Sequence, residues 1–252
     1  MKNISLGKKI SLFVLIPLAC FLILALMSVI KDRATYTSAN AMRSHTQYFH
    51  AISQVIHQVQ KERGRSSLYL GQKLSLDELN LQRVDTDKEV TSLEAKMSQN
   101  GIGEKLINAT KSALDALKQT RADVDAKKPA TEVTPKFTAT IKQFIDSEVL
   151  CAKSFSFEGR ESMLLSLTTL ESGKDSTGRL RANLINVLNN DAPLTPPQLA
   201  TLNELKAGIN VSVNSPSLIV SDAARDHLNK FPTSAAWLAV DNTYKVVLEK
   251  SS

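Results

Sequence analysis

The sequence predicts an all-α chain: a membrane-spanning helix at the N-terminus, then an exported domain of long helices joined by brief loops. Three observations predict it. Aromatics are only 5% of the 252 residues, with 9 Gly and 8 Pro, too few stiff strand residues and turn formers for a β-sandwich or a Gly-rich α/β enzyme. Apolar residues recur at steps of three and four along nearly the whole chain after residue 34. A single long uncharged apolar run stands near the start.

That run is Ile10 to Ile30, ISLFVLIPLACFLILALMSVI. It is about long enough to cross a ~30 Å hydrocarbon core as a helix, and Pro17 is tolerable in such a helix. Lys2, Lys8 and Lys9 precede it with no acid among them; Lys31, Asp32 and Arg33 follow. The leading positive charge predicts a cytoplasmic segment over 1–9, a transmembrane helix over 10–30 and an extracytoplasmic domain over 34–252. A cleaved signal peptide is the alternative. Its apolar core is usually ~7–15 residues, followed by a small-residue cleavage site. Here the run is longer and ends Met27-Ser28-Val29-Ile30-Lys31. Leu18-Ala19-Cys20 hints at a lipoprotein box, but it follows Pro17 and the apolar run continues to Ile30. A retained anchor is expected, with no second span before Ser252.

The helices follow in order. Phe49, Ile52, Ile56 and Val59 define one face of a first helix that runs on to Leu70 and breaks at Gly71-Gln72-Lys73. Ser75 can cap a second, with Val84, Val90, Leu93 and Met97, stopping at Asn100-Gly101. A third covers about Gly103 to Lys127, with Leu106, Ala109, Ala113, Leu114 and Leu117. Lys128-Pro129 and Thr134-Pro135 bound a short linker. A fourth covers about Thr134 to Leu170, which Gly159 bends or breaks, and Ser172-Gly173 marks a stop. A fifth spans Asp175 to Asn189 and ends at Asn190-Asp191-Ala192-Pro193. Thr195 caps a sixth, with Pro196 at its first position. Short helices near Ser221–Lys230 and Ser234–Lys250 complete the chain.

Composition also excludes function classes. The net charge is +6, but Lys2, Lys8 and Lys9 supply half of it, and the rest is nearly balanced. A nucleic-acid binder needs a concentrated basic face, so none is expected as a partner. Cys20 and Cys151 cannot make a disulfide framework or a Cys-based zinc site. His50 and His57 share a helix face without an acid at metal-ligand spacing, and His45 and His227 stand apart, so no metal and no cofactor are expected. Ser66 and Ser67 have no histidine nearby to activate them, and no Gly-rich loop follows a strand. Trp237 and Phe231 read as core anchors. The chain is not expected to be an enzyme.

Two arginines stand on apolar stripes. Continuing the steps 49, 52, 56 and 59 leads to Arg63, Ser66 and Leu70, while Arg65 falls with Gln58, Lys61 and Glu62 on the wetter side. On the fifth helix, Leu184, Ile185 and Leu188 share a face with Arg181, while Arg179 projects with Ala182, Asn183 and Asn186. Charged side chains are rarely buried without a partner. Glu62 and Asp175 are available acids for salt bridges. Alternatively, small neighbours (Gly64, Ser66 and Ser67; Ser176, Thr177 and Gly178) leave room for a small ligand, and guanidinium forks match planar oxyanions.

The segment Gln60-Lys61-Glu62-Arg63-Gly64-Arg65-Ser66-Ser67-Leu68-Tyr69-Leu70 resembles the Q-K-E-R-G-x-S-x-x-x-L pattern that opens the bacterial nitrate- and nitrite-sensing (NIT) domain. Lys174-Asp175-Ser176-Thr177-Gly178-Arg179-Leu180-Arg181-Ala182 resembles its second element, with Asp175 where Glu is more usual, and Leu194 to Leu199 its later loop-then-helix. The resemblance spans about Gln47 to Leu248. It implies two four-helix bundles with shared long helices, and nitrate or nitrite held by Arg63 and Arg181, with Arg65, Arg179, Ser66, Ser67, Gly64 and Gly178 in second rank. The membrane helix directly before the domain resembles a chemoreceptor or other transmembrane sensor for signal transduction or chemotaxis. That implies a homodimer, and an output module supplied by a partner or by a further C-terminal part. The alternative is a non-sensing helical interaction or structural module on a membrane anchor.

The charge pattern around residues 10–30 generates a direct test of topology. A reporter fused after Ser252 should be active only in the exported compartment; cytoplasmic activity, or a mature N-terminus beyond residue 30, contradicts it.

Overall fold

The computed structural model describes residues 6–98, 101–154, 160–190 and 194–249, and every regular element among them is helical. The helices are α1 (Leu6–Leu70), α2 (Leu76–Met97), α3 (Glu104–Asp125), α4 (Ala130–Lys153), α5 (Arg160–Asn190), α6 (Pro196–Asn214), α7 (Asp222–Lys230) and α8 (Ala235–Glu249), with a 3-10 turn at Phe231–Thr233. Residues 1–44 and 45–252 form separate compact units, with α1 continuous across the division. In the first unit α1 has an apolar stretch of mean hydropathy 2.5 that buries nothing, and by length and composition it can cross a membrane.

In the second unit several expected boundaries hold for the expected reasons. The Ser75 hydroxyl accepts from the Glu78 backbone N–H while the Glu78 carboxylate accepts from the Ser75 backbone N–H, a capping box that starts α2. Thr195 and Gln198 do the same for α6, with Pro196 in its first turn. After α1, Gln72 takes a left-handed φ of 56°, and the N–H groups of Gly71 and Lys73 close onto the carbonyls of Ser67 and Leu68.

Two boundaries differ. Thr134-Pro135 is not a linker: α4 already begins at Ala130 and runs on through Pro135, its sixth residue, which can donate no N–H to the preceding turn. Nor does Ser172-Gly173 stop a helix, because α5 runs through it. Gly173 lies where α5 touches α6, and a Cβ there would stand 2.5 Å from the Ser212 Cβ. This glycine permits a close helix crossing rather than ending a helix. The bend expected at Gly159 and the residues 191–193 lie outside the described residues.

Burial divides the unit into two cores. Tyr48, Ile52, Ile56 and Val59 of α1 are fully buried, as are Leu79 and Leu93 of α2, Phe137, Ile141 and Phe144 of α4, with Leu114 and Leu117 of α3 nearly so. The Tyr48 hydroxyl donates to Thr110 Oγ1 at 2.8 Å, tying α1 to α3. Val84, one of the apolar positions of α2, is exposed; Gln82 and Thr86 take the buried face instead. The second core joins Leu180, Leu184 and Val187 of α5 to Leu202, Leu205 and Ile209 of α6 and Trp237, Tyr244 and Val247 of α8. Trp237 is the expected anchor, and the Phe231 ring stacks 4.9 Å from it. Each fully buried aliphatic side chain contributes about 1.5–3 kcal/mol.

One buried acid opposes the fold. Glu148 on α4 is 1% exposed, and neither carboxylate oxygen makes a hydrogen bond of good geometry. Burial, reinforced by the charge of Glu171, pushes its pKa from 4.5 to about 8; Lys174 and the nearby Ser53 hydroxyl oppose this only weakly.

Two measurements follow from this packing. Gly173→Ala should destabilise the domain by about 1–3 kcal/mol through overpacking, and Ser212→Gly in the same chain should recover most of that loss. Equal losses in the single and double variants would rule out the crossing as the cause. For Glu148 the folded state keeps a proton that the unfolded chain releases, so its contribution is lost as pH rises from 4.5 towards 8. That is roughly 1 kcal/mol per pH unit. Thermal unfolding of Glu148→Gln between pH 5 and 8 should show a flatter decline than wild type and a higher Tm at pH 8.

Candidate functional site

The motif at the end of α1 fastens this helix to four others. Gln60 donates to the Glu171 carboxylate of α5 at 3.2 Å. Glu62 is 0% exposed and accepts from Arg121 of α3, Nε to Oε1 at 2.7 Å and Nη2 to Oε2 at 2.8 Å. Arg83 of α2 approaches the same carboxylate at 3.8 Å. Arg65 is half-buried, and its Nη1 donates to the Glu78 backbone carbonyl at 3.2 Å, closing the turn between α1 and α2. Placing Glu62 on the wetter side is therefore a mistake: the apolar stripe alone conceals an ion pair on the adjoining face.

Arg63 is inward, as its position on the stripe predicts, and only 7% exposed. Its Nη1 donates to Thr138 Oγ1 of α4 at 3.2 Å, and Thr138 in turn donates to the Thr134 carbonyl. Its Nη2 stands 3.0 Å from Asp175 Oδ1 of α5. That contact is a buried ion pair. Burial pulls the Arg63 guanidinium below its ordinary value, Asp175 pulls it back, and the nearby charge of Arg179 adds to the lowering. Ser66, one turn along the same face of α1, is 1% exposed, and its hydroxyl has no hydrogen-bond partner among the described residues.

On α5 the helix face differs from expectation. The buried stripe is Leu180, Leu184 and Val187, while Ile185 and Leu188 are exposed, and Arg181 is exposed with them. Three apolar residues in a short amphipathic stretch allowed two stripes, and the second core selects the other one. Arg179 instead lines a groove of about 660 Å³ between α4 and α5. Thr138, Lys142 and Asp146 line it on α4, and Ser172, Asp175 and Ser176 on α5. Asp175 therefore borders Arg63 on one side and the groove on the other. The structure brings together Arg63, Asp175 and Arg179, and not Arg63 and Arg181. The spacing of Asp175 and Arg179, four apart on one helical face, is the signal that could have found the pair.

The small residues play varied parts. A Cβ on Gly64 would meet nothing, so that glycine makes no room at the site; a Cβ on Gly178 would lie 3.6 Å from Arg63 Nη2, an ordinary contact. Ser67 is half-buried, and its carbonyl receives the Gly71 N–H at the end of α1. Thr138 was not foreseen, because nothing in the sequence marks which polar residue of α4 will face α1.

A buried guanidinium with one neutral and one anionic partner, a second cation beside it and an adjoining groove can hold a small anion by charge-assisted hydrogen bonds. The family model described as nitrate and nitrite sensing matches residues 54–252. Among solved structures, the NasR transcription antiterminator shares the fold, with a TM-score of 0.53 at 17% identity, over 87% of this chain and 72% of that one. A comparison with curated proteins found no match. With its motif residues arranged around Arg63 and most of its length matched, the chain belongs to the nitrate and nitrite sensing (NIT) family.

Proposed function

We propose that the chain is a membrane-anchored extracytoplasmic sensor domain for nitrate or nitrite, anchored by residues 10–30 and sensing through residues 34–252. The anion is held by Arg63 and Arg179 between α1, α4 and α5, with Thr138 and Ser66 as neutral donors. The observation that carries this reading is the buried Arg63, within reach of the charge of Arg179, whose side chain lines a groove that Asp175 also borders, in a chain of this family. Arg181 was expected to share the site; its exposure favours Arg179 in that part. The two cores, with α5 bordering α4 in its early half and building the second core in its later half, support an arrangement of two helical bundles sharing long helices. In this reading the domain works as a chemoreceptor-like homodimer whose output module is supplied by a partner or by a longer chain. The likeness to a transcription antiterminator fits a sensing fold that serves different outputs.

A second reading rests on the 3.0 Å contact of Arg63 with Asp175. If that pair is only a structural bolt, the domain is an interaction module on a membrane anchor and binds no anion.

Calorimetric titration of the full chain in detergent with nitrate, nitrite, chloride and sulfate decides between them. Arg63→Ala or Arg179→Ala removes a charge-assisted bond and should weaken nitrate or nitrite binding roughly 10- to 150-fold. Arg65→Ala and Arg181→Ala should change it little. Because Arg63→Ala strands a buried carboxylate, Arg179→Ala gives the cleaner result. Absence of heat with both nitrate and nitrite supports the interaction module. A loss at Arg181 equal to that at Arg63 places the anion elsewhere.

A further inference from the structure

Asp175 is an acid in a place proposed to hold an anion, and that needs a reason. Asp175 is 8% exposed, its carboxylate stands 3.0 Å from Arg63, and it lines the groove beside Arg179. The other charges around it are internally matched: Lys142 pairs with Asp146 at 2.7 Å along α4, Lys174 with Glu171 at 2.9 Å along α5, and Glu62 with Arg121 on the far side of α1. Arg179 makes no ion pair among the described residues. Two guanidiniums and one carboxylate remain, a net charge of +1.

We infer that Asp175 is the specificity-determining residue of the site, setting its charge so that it accepts a monovalent oxyanion and rejects a divalent one. This rests on the anion-binding reading above. A single negative charge neutralises the cluster. A dianion leaves a surplus negative charge in a poorly solvated place, close to a carboxylate that repels it, and both costs grow as the local dielectric falls. Size alone separates nitrate from sulfate poorly in an open groove of this volume. The charge count separates them without tight walls. The same carboxylate competes with the ligand for Arg63 Nη2, so it also keeps affinity moderate.

The test is competition binding on the full chain in detergent, with nitrate or nitrite (whichever binds) as the ligand and sulfate and perchlorate as competitors. In the wild type, perchlorate should displace the ligand and sulfate at the same concentration should not; displacement by sulfate as effective as that by perchlorate overturns the inference without any variant. Asp175→Asn should then shift the sulfate-to-nitrate affinity ratio towards sulfate by about tenfold or more, while Asp175→Glu keeps the wild-type ratio. A folded Asp175→Asn protein with an unchanged ratio also overturns it. Should Asp175→Asn fail to fold, Asp175→Ser and the wild-type competition carry the decision. If the wild type binds neither nitrate nor nitrite, the sensor reading itself fails; if it binds one of them and the ratio does not move, only the role of Asp175 falls.

Discussion

Two adjacent charges on α1 set the register on which the rest depends. Glu62 and Arg63 are both buried, and neighbouring helical positions point about 100° apart. Glu62 reaches α3 and α2; Arg63 reaches α4 and α5. Rotating α1 by one residue would strand both charges, at a cost far above that of shifting an apolar side chain, because an unpaired buried charge costs several kcal/mol. Apolar stripes tolerate small rotations; a pair of opposite charges aimed at different helices does not. Against the lowering effect of burial, hydrogen bonds to Glu62 and Asp87 push the Arg121 guanidinium up, as a matched partner should.

The second dependence is on α5, which borders α4 in its early half and builds the second core in its later half. Its early half faces α4 and α1, where Thr168, Asp175 and Arg179 make a polar wall. Its later half turns Leu180, Leu184 and Val187 towards α6 and α8. Gly173 lets α6 approach where the two functions overlap, and Gly208 adds a second close point against Ser176. Asp175 thus lies two residues from the close approach of α5 to α6 at Gly173.

Helix identity and capping were legible in the sequence because both are local: Ser75 with Glu78 and Thr195 with Gln198 announce helix starts within four residues. Arg63 was legible because a long, clean apolar stripe led up to it. Arg181 was misread because the stripe on α5 was short and admitted two faces, and only the positions of α6 and α8 decide between them. Gly173 was misread for a related reason. A glycine that ends a helix and one that admits a neighbouring helix look alike until the neighbour is in place. Glu62, Thr138 and Arg121 could not be assigned from local pattern, since each depends on a residue far away in the chain.

A sensor needs two states that its ligand binds unequally. The pair formed by Arg63 and Asp175 offers a way to create them. With no anion, Asp175 supplies the negative charge that Arg63 requires, and α5 is held to α1 by that contact. If an anion binds as proposed, it supplies the charge instead and frees Asp175 from part of its attraction, so the tie between the two helices weakens. The differential affinity required is modest: a tenfold preference is about 1.4 kcal/mol, within the range of one charge-assisted contact.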